Sequence, residues 1–302
     1  MRGVHSDYPQ AQHPGLRGSR VCSGHAMSSH RTTVILTEPK NPPRFGPPSA
    51  RYETGRGNYV AEALLGRGHE VIMWWDHPPG ELIECEPTAA LIRSSRPPQL
   101  ERAATLASQG VVVINDPSAH GRSGDKRFQA AVFAHCGIPH PETIDPQVSP
   151  YPRDEMVVIK PAIGSSGFGV RSGIWSELSA SVEPGDIVQP MLRRIKEVRV
   201  TVVGGRALGW AERTPALGDF RANLALGATM RPIGRPSAEI EDLARRAVDA
   251  LDLAIGGVDI VITSEGPVVL EVNAATTLHG PTLEETDVIL NEVIDLIETR
   301  SV

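Results

Sequence analysis

"GGVDIVITSEGPVVLEVN", residues 256–273, holds two apolar, β-branched runs, Val258–Thr263 and Pro267–Asn273, separated by Ser264-Glu265-Gly266. A short glycine-containing break between such runs predicts a β-hairpin. With the loop centred on Glu265, Thr263 faces Pro267, Val261 faces Val269 and Asp259 faces Glu271. Side chains alternate along a strand, so Glu271 and Asn273 point to one side. Two carboxylates directly opposite lie about 5 Å apart and repel, and burying them uncompensated is costly. Two readings account for this cluster. A hard divalent cation such as magnesium takes an all-oxygen set of this kind. Alternatively the face is solvated and its acids pair with lysines or arginines. A slip of one residue in register dissolves the pairing.

Upstream, "VVIKPAIGSSGFGV", residues 157–170, is a strand ending in Lys160, followed by a Gly/Ser loop and a resumed apolar run. Gly164, Ser165, Ser166, Gly167 and Gly169 offer backbone N–H groups to phosphate oxygens with little side-chain obstruction. Lys160 adds a point charge at the same place. No Gly-Lys-Ser/Thr follows, so this is not a Walker loop, and a plain hairpin loop has the same composition. "GDFRANLALGA", residues 218–228, sets Arg221 and Asn223 two apart beyond a loop; arginine suits bidentate contact with carboxylate or phosphate. "DIVQPML", residues 186–192, reads as a buried strand that can present backbone groups to a planar ring. Lys126 opens a helix after "HGRSGD" and, taken alone, reads as a surface lysine.

Around these motifs the chain alternates strand and helix at first. "TTVILTEP" is a strand leading to the proline-rich stretch Pro39–Pro48. A helix over Asn58–Leu65, a strand over Glu70–Trp75, a third strand in "PTAALIRS", a helix in "QLERAATLASQG" and a strand in "VVVIND" follow. This is the pattern of an open α/β domain over residues 31–115. A helix starts near Asp125 and stops at Gly137, and the remainder is β-rich, with Gly204-Gly205 as a two-residue turn. Two helices close the chain, the last opening with Thr282 and Glu285 at capping-box spacing. The fold class expected is α/β followed by α+β. Its divisions are a disordered tail over 1–30, an N-terminal substrate-side domain over 31–115, a central subdomain over 116–190 and a C-terminal subdomain over 191–302.

With 302 residues, 40% hydrophobic and 22% charged, the chain has the composition of a globular protein of two or three domains. A net charge of −6 with scattered lysines and arginines argues against nucleic acid or an anionic membrane as partner. No apolar run approaches the roughly 20 residues that cross a bilayer. Cys22, Cys85 and Cys136 are odd in number and form no CxxC pair. That fits a reducing cytoplasm rather than a disulfide framework or cysteine-rich zinc site. The first thirty residues lack the apolar core of a secretion signal, and Met27 is an alternative start.

Singly these signals are weak; in order they are specific. Lys126, Lys160 with its glycine-rich loop, Arg221 with Asn223, and Asp259, Glu271 and Asn273 occur in the sequence and spacing of one family. From about residue 31 onward the chain resembles the ATP-grasp carboxylate–amine ligases. It is most similar to the RimK-like ribosomal-protein glutamate ligases and the lysine-biosynthesis ligases that act on a carrier protein. Glutathione synthetases and D-alanine–D-alanine ligases are more distant.

The resemblance implies an ATP-grasp fold and roles for particular residues. Lys126 and Lys160 would hold ATP phosphates under a mobile lid, residues 164–169. Gln189, Pro190, Met191 and Leu192 would form the adenine hinge, and Glu197 would bind ribose. Arg199 and Arg213 would lie near the acyl or phosphoryl centre. Arg221 and Asn223 would contact the γ-phosphate, and Asp259, Glu271 and Asn273 would hold two magnesium ions, or manganese. The activity implied is ADP-forming ligation of a small-molecule or peptide carboxylate to an amine through an acyl phosphate, by a homo-oligomer (dimer or tetramer). Alternatives are a ring-closing ligase and a non-catalytic ATP-binding regulator. Arg93, Trp74 and Trp75 sit on the expected substrate side, Arg93 as a candidate carboxylate ligand and the tryptophans as packing.

Two departures stand out. After Asn273 the family continues with a small residue, then Pro and Gly, whereas this chain reads Ala274-Ala275-Thr276-Thr277-Leu278-His279. Pro190 replaces an acidic residue of the hinge and leaves only a carbonyl there.

Overall fold

The computed structural model describes residues 32–36, 58–74, 87–144, 152–164 and 166–301, in three sheets. The tail over 1–30, Met27, Cys22, Cys85, Trp75 and Ser165 lie outside the described residues.

Strands β1 (Thr32–Leu36), β2 (Glu70–Trp74), β3 (Ala89–Ile92) and β4 (Val112–Ile114) form a parallel sheet in the order β2-β1-β3-β4. Parallel neighbours need crossovers, and α1 (Asn58–Gly66) and α2 (Pro97–Ser108) lie in two of them. Helix α2 starts two residues earlier than its apolar pattern, on Pro97 and Pro98, because the first turn uses no intrahelical N–H. A short helix that periodicity missed, α3 (Pro117–Arg122), follows β4; its Asp116 cap accepts from Ala119 N–H at 2.9 Å. Helix α4 (Lys126–His135) is capped by Asp125.

The middle sheet is antiparallel, β6-β5-β7, from β5 (Met156–Pro161), β6 (Arg171–Ile174) and β7 (Asp186–Pro190), with the single turn α5 (Trp175–Leu178) after β6. The third holds β8 (Lys196–Val203), β9 (Arg206–Thr214), β10 (Thr229–Pro232), β11 (Ile255–Thr263) and β12 (Gly266–Asn273) in the order β10-β9-β8-β11-β12. Gly204 and Gly205, at φ 56° and 75°, make the tight β8–β9 turn, where two positive φ values favour glycine. Helix α6 (Ala238–Asp249) precedes β11, and α7 (Leu283–Arg300) closes the chain behind a complete Thr282–Glu285 capping box.

This third sheet is two-faced, which follows from strand alternation. Val198, Val200 and Val202 of β8 and Val258 and Ile260 of β11 pack with Leu243, Ala244, Ala247 and Val248 of α6 in one buried cluster. Each such valine or isoleucine contributes about 1.5–3 kcal/mol. The intervening residues Glu197, Arg199, Gly257 and Asp259 therefore lie on the opposite face. A second core joins this sheet to the first, with Ile35, Leu91 and Ile114 meeting Val203, Ile255 and Ile289. Buried Asn115, just after β4, seals the junction: its Oδ1 accepts from Ala254 and Ile255 N–H, and its Nδ2 donates to Ile255 C=O.

The β11–β12 hairpin corrects the expected register. Its loop is two residues, with Thr263 opposite Gly266, Ile262 opposite Pro267 and Val261 opposite Val268. Thr263 tightens the turn through its hydroxyl, which accepts from Glu265 N–H at 3.1 Å and donates to Gly266 C=O at 2.9 Å. The ladder then shifts between Asp259 and Ile260: Ile260 pairs with Val269, Asp259 pairs with Glu271, and Leu270 is the extra residue. The one-residue error at the turn and this bulge cancel, so Asp259 faces Glu271 after all. Bulges redirect side chains beside functional sites, and Leu270 lines the pocket described next.

Candidate active site

Asp259 sits at the centre of the polar face of the third sheet, opposite Arg199 of β8 on one side and Glu271 of β12 on the other. Its Oδ1 accepts from Arg199 Nη1 at 2.7 Å and pairs with Arg213 Nη1 at 3.0 Å. Its Oδ2 faces Asn273 Nδ2 at 3.3 Å, and the same amide donates to Glu271 Oε1 at 3.0 Å. Burial alone would raise the Asp259 pKa; the charges and hydrogen bonds of Arg199 and Arg213 overcome it and hold the carboxyl ionised, below its ordinary value. Glu197 lies on the same face against Arg194 at 2.9 Å, and its pKa is raised by burial and by the Asp259 charge.

The middle sheet supplies the facing wall. Val158 and Lys160, two apart on β5, both line the pocket. Burial pushes the Lys160 ammonium down to about 8, with Glu271 as its largest opposing charge and Lys126 repelling it. Lys126 Nζ donates to Gly164 C=O at 2.8 Å and lies 3.9 Å from Glu271 Oε2. Arg221 reaches across from the 215–223 segment to donate to Gly167 C=O at 3.1 Å, while Asp219 grips its Nε and Nη2 at 2.9 and 2.7 Å. That grip holds the Asp219 pKa down to about 2. Gly167 is left-handed at φ 74°, and a Cβ there would lie 2.5 Å from Asn223 Oδ1, so the loop backbone rests directly on Asn223.

These walls enclose a cavity of about 350 Å³. Its wall combines charged side chains, Lys126, Lys160, Arg213, Arg221, Asp259 and Glu271, with apolar ones, Pro141, Val158, Met191, Leu192, Val261 and Leu270. A planar base suits the apolar residues and a polyphosphate suits the cationic ones. Met191 N–H is committed to Met156 C=O at 2.8 Å, and Pro190 has no N–H, so an edge donor in this stretch falls to the next residue, Leu192.

A magnesium ion also fits. Asp259 Oδ2, a Glu271 oxygen and, after a half-turn of its amide, the Asn273 oxygen form a hard donor set on one face. Among the described residues no group of three or more His, Cys, Asp and Glu side chains is set to hold a metal. The donors here are two carboxylates and one amide, so further oxygens would have to come from a bound ligand or water.

The RimK-like ATP-grasp domain family matches residues 155–297. A probable alpha-L-glutamate ligase of Maridesulfovibrio salexigens is 31% identical over 210 residues, covering 64% of this chain and 69% of that protein. The chain belongs to the RimK-like ATP-grasp family. Another relative, a probable alpha-L-glutamate ligase of Parasynechococcus marenigrum, is 30% identical over 190 residues, but the match spans only 40% of that longer protein. The structure of the ATP-grasp ligase PsnB, complexed with a phosphomimetic variant of its minimal precursor, Mg and ADP, superposes with a TM-score of 0.63. It covers 90% of this chain and 99% of its own at 21% identity, which shows the ATP-grasp fold. Members of the family are ATP-dependent carboxylate–amine ligases, and this chain is one by membership.

Within this RimK-like site, most residues expected from sequence converge on one pocket: Lys126, Lys160, Gly164, Ser166, Gly167, Gln189, Pro190, Met191, Leu192, Glu197, Arg213, Arg221, Asn223, Asp259 and Glu271 all line it. Among the described residues three expected ones do not. Gly169 packs against Pro161, and Arg199 lies behind Asp259. Asn273 bridges the two carboxylates, and Ser165 is outside the described residues. Arg93 is not on the pocket wall either; it is 1% exposed and donates to the Thr276 carbonyl. Trp74 packs with Ala90, Ile92 and Leu106, and Arg102 is stacked 4.0 Å above its ring. Sequence reasoning missed Asp219, Arg194 and Val158. The last was findable, since Val158 and Lys160 are i and i+2 on one strand.

Among the described residues no helix is long and apolar enough to cross a membrane. Cys136 is a free, exposed thiol.

Proposed function

We propose that this chain binds ATP with magnesium and joins a carboxylate to an amine through an acyl phosphate. The observation that carries the proposal is the pocket, whose wall combines apolar residues, cationic side chains and the paired acids Asp259 and Glu271. The divisions proposed for this task are a substrate-side domain over 31–115 and two clamping subdomains over 116–190 and 191–302.

In this reading the base lies against Met191 and Leu192, with ribose toward Glu197. Lys126 and Lys160 meet the phosphates, and Arg221 and Asn223 meet the γ-phosphoryl group. Asp259, Glu271 and Asn273 would hold magnesium, which neutralises phosphate charge. A substrate carboxylate oxygen attacks the γ-phosphorus and ADP leaves. The amine nitrogen then attacks the acyl carbon, phosphate departs, and the amine gives up a proton. Phosphoryl transfer asks the protein mainly for position and charge, which Lys160, Arg213 and Arg221 supply. Residues 164–169 close over the phosphates and shield the acyl phosphate from hydrolysis. The substrate class favoured is an amino acid or peptide, because relatives are named glutamate ligases and PsnB is complexed with a precursor.

The test is nucleotide turnover with magnesium–ATP, hydroxylamine and a panel of amino-acid and peptide carboxylates. Hydroxamate appearing together with ADP supports the proposal and names the acid. AMP with pyrophosphate would replace the acyl phosphate by an acyl adenylate.

A further inference from the structure

The stretch that follows β12, Ala274–His279, contains a hydroxyl, that of Thr276, that meets the buried arginine behind Asp259. Arginine prefers to engage a carboxylate with both prongs of its fork. Arg199 does not: Nη1 donates to Asp259 Oδ1 at 2.7 Å, but Nη2 donates to Thr276 Oγ1 at 2.7 Å. The second prong is diverted, and Arg213 also takes Oδ1. Asp259 Oδ2 is thereby left facing Asn273 and Glu271.

Two further observations show that the diversion is built. Thr276 is 1% exposed, and its carbonyl accepts from Arg93, a fully buried side chain that comes from the end of β3 in the first sheet. Gly257 lies across from Thr201, two residues before Asp259 and on the same face. A Cβ there would fall 2.1 Å from Thr276 Oγ1 and 2.2 Å from Arg199 Nη2. Its φ does not call for glycine. The close approach of the hydroxyl and the guanidinium does.

We infer that Thr276 is a positioning residue: its hydroxyl holds Arg199 off Asp259 Oδ2 and so keeps that oxygen open for a divalent cation, while Arg93 anchors it from the substrate-side domain. The inference rests on the metal role proposed for Asp259. Without the hydroxyl, the freed Nη2 is buried with its partner gone, and rotation onto Oδ2 restores a bidentate pair. The carboxylate is then closed to metal.

Direct binding of Mn²⁺ together with a non-hydrolysable ATP analogue, measured by calorimetry and by Mn²⁺ paramagnetic resonance, tests this on the intact chain. Removing a group that orients a metal ligand weakens affinity by about 10–100-fold, and that range is expected for Thr276→Val. Thr276→Ser keeps the hydroxyl and should bind Mn²⁺ as the unmodified protein does, without the loss expected when the orienting group is removed. Thermal melting of both variants, expected to agree, guards against a folding artefact. Equal Mn²⁺ affinity in Thr276→Val and the unmodified protein would overturn the inference, as would a loss in Thr276→Ser as large as in Thr276→Val. Failure of the unmodified protein to bind Mn²⁺ with nucleotide would overturn the metal role itself, and is read from a different sample.

Discussion

Lys160 offers a test of the site that needs neither substrate nor metal. Its ammonium is desolvated between the middle and third sheets, and its pKa falls from an ordinary 10.5 to about 8. Lys126 adds repulsion, and Glu271, Asp259 and Glu197 oppose the shift without cancelling it. At about 1.36 kcal/mol per pH unit, holding the charged form at this buried position costs about 3 kcal/mol. The sign follows from proton counting. Between pH 8 and 10.5 the unfolded chain keeps the proton and the folded chain has released it, so stability rises with pH in that window. Replacing Lys160 by Met removes this dependence. Urea denaturation of both proteins in EDTA at pH 7, 8, 9 and 10 should show the wild type gaining about 2–3 kcal/mol on Lys160→Met, most of it above pH 8. A difference that stays flat from pH 7 to 10 would refute the argument that this lysine is desolvated. The same strain serves the proposed function, because phosphates entering the pocket favour the charged form. Nucleotide binding at pH 9 is therefore expected to take up close to one proton, detectable by calorimetry in buffers of different ionisation enthalpy.

Other expectations are more direct. Glu271→Gln keeps the size of the side chain but removes its charge, and turnover should fall by about two orders of magnitude or more with the melting temperature little changed; near-normal turnover rules out the metal assignment. Gly167→Ala puts a Cβ 2.5 Å from Asn223 Oδ1 at a residue with φ 74°, so the loop must lift; steady-state kinetics should show a raised KM for ATP, and an unchanged KM would show that the loop does not rest there during turnover. Buried Gln129 ties α4 to β12, donating to Ser123 and Val272 C=O and accepting from Val272 N–H. Gln129→Leu strands all three groups and should cost about 2–4 kcal/mol in urea denaturation; a loss below about 1 kcal/mol would mean water replaces the amide.

The acid–acid–amide cluster was legible because strand alternation is local: Glu271 and Asn273 must share a face whatever they pair with. The order of elements was legible for the same reason, since apolar periodicity, Gly204-Gly205 and the Thr282–Glu285 cap act within a few residues. Helix α3 escaped because six residues are too few to show a period. The hairpin register escaped because it depends on a threonine hydroxyl tightening the turn and on where the bulge falls. Asp259 still met Glu271 only because those two effects cancel.

What the chain determined by itself, then, is the set of chemical groups and the local shape that carries each: a strand-end lysine, a glycine loop, a pair of acids on a hairpin. What only the tertiary structure decided is which of them touch. Asp259 meets Arg199 across 60 residues of sequence, and Thr276 reaches the same guanidinium across 77. Arg93 enters from another sheet altogether. Those contacts follow from β11 pairing with β8 rather than with β10, and from α6 burying the apolar face of both strands. Packing of that kind is a property of the whole core, and no short stretch of residues encodes it.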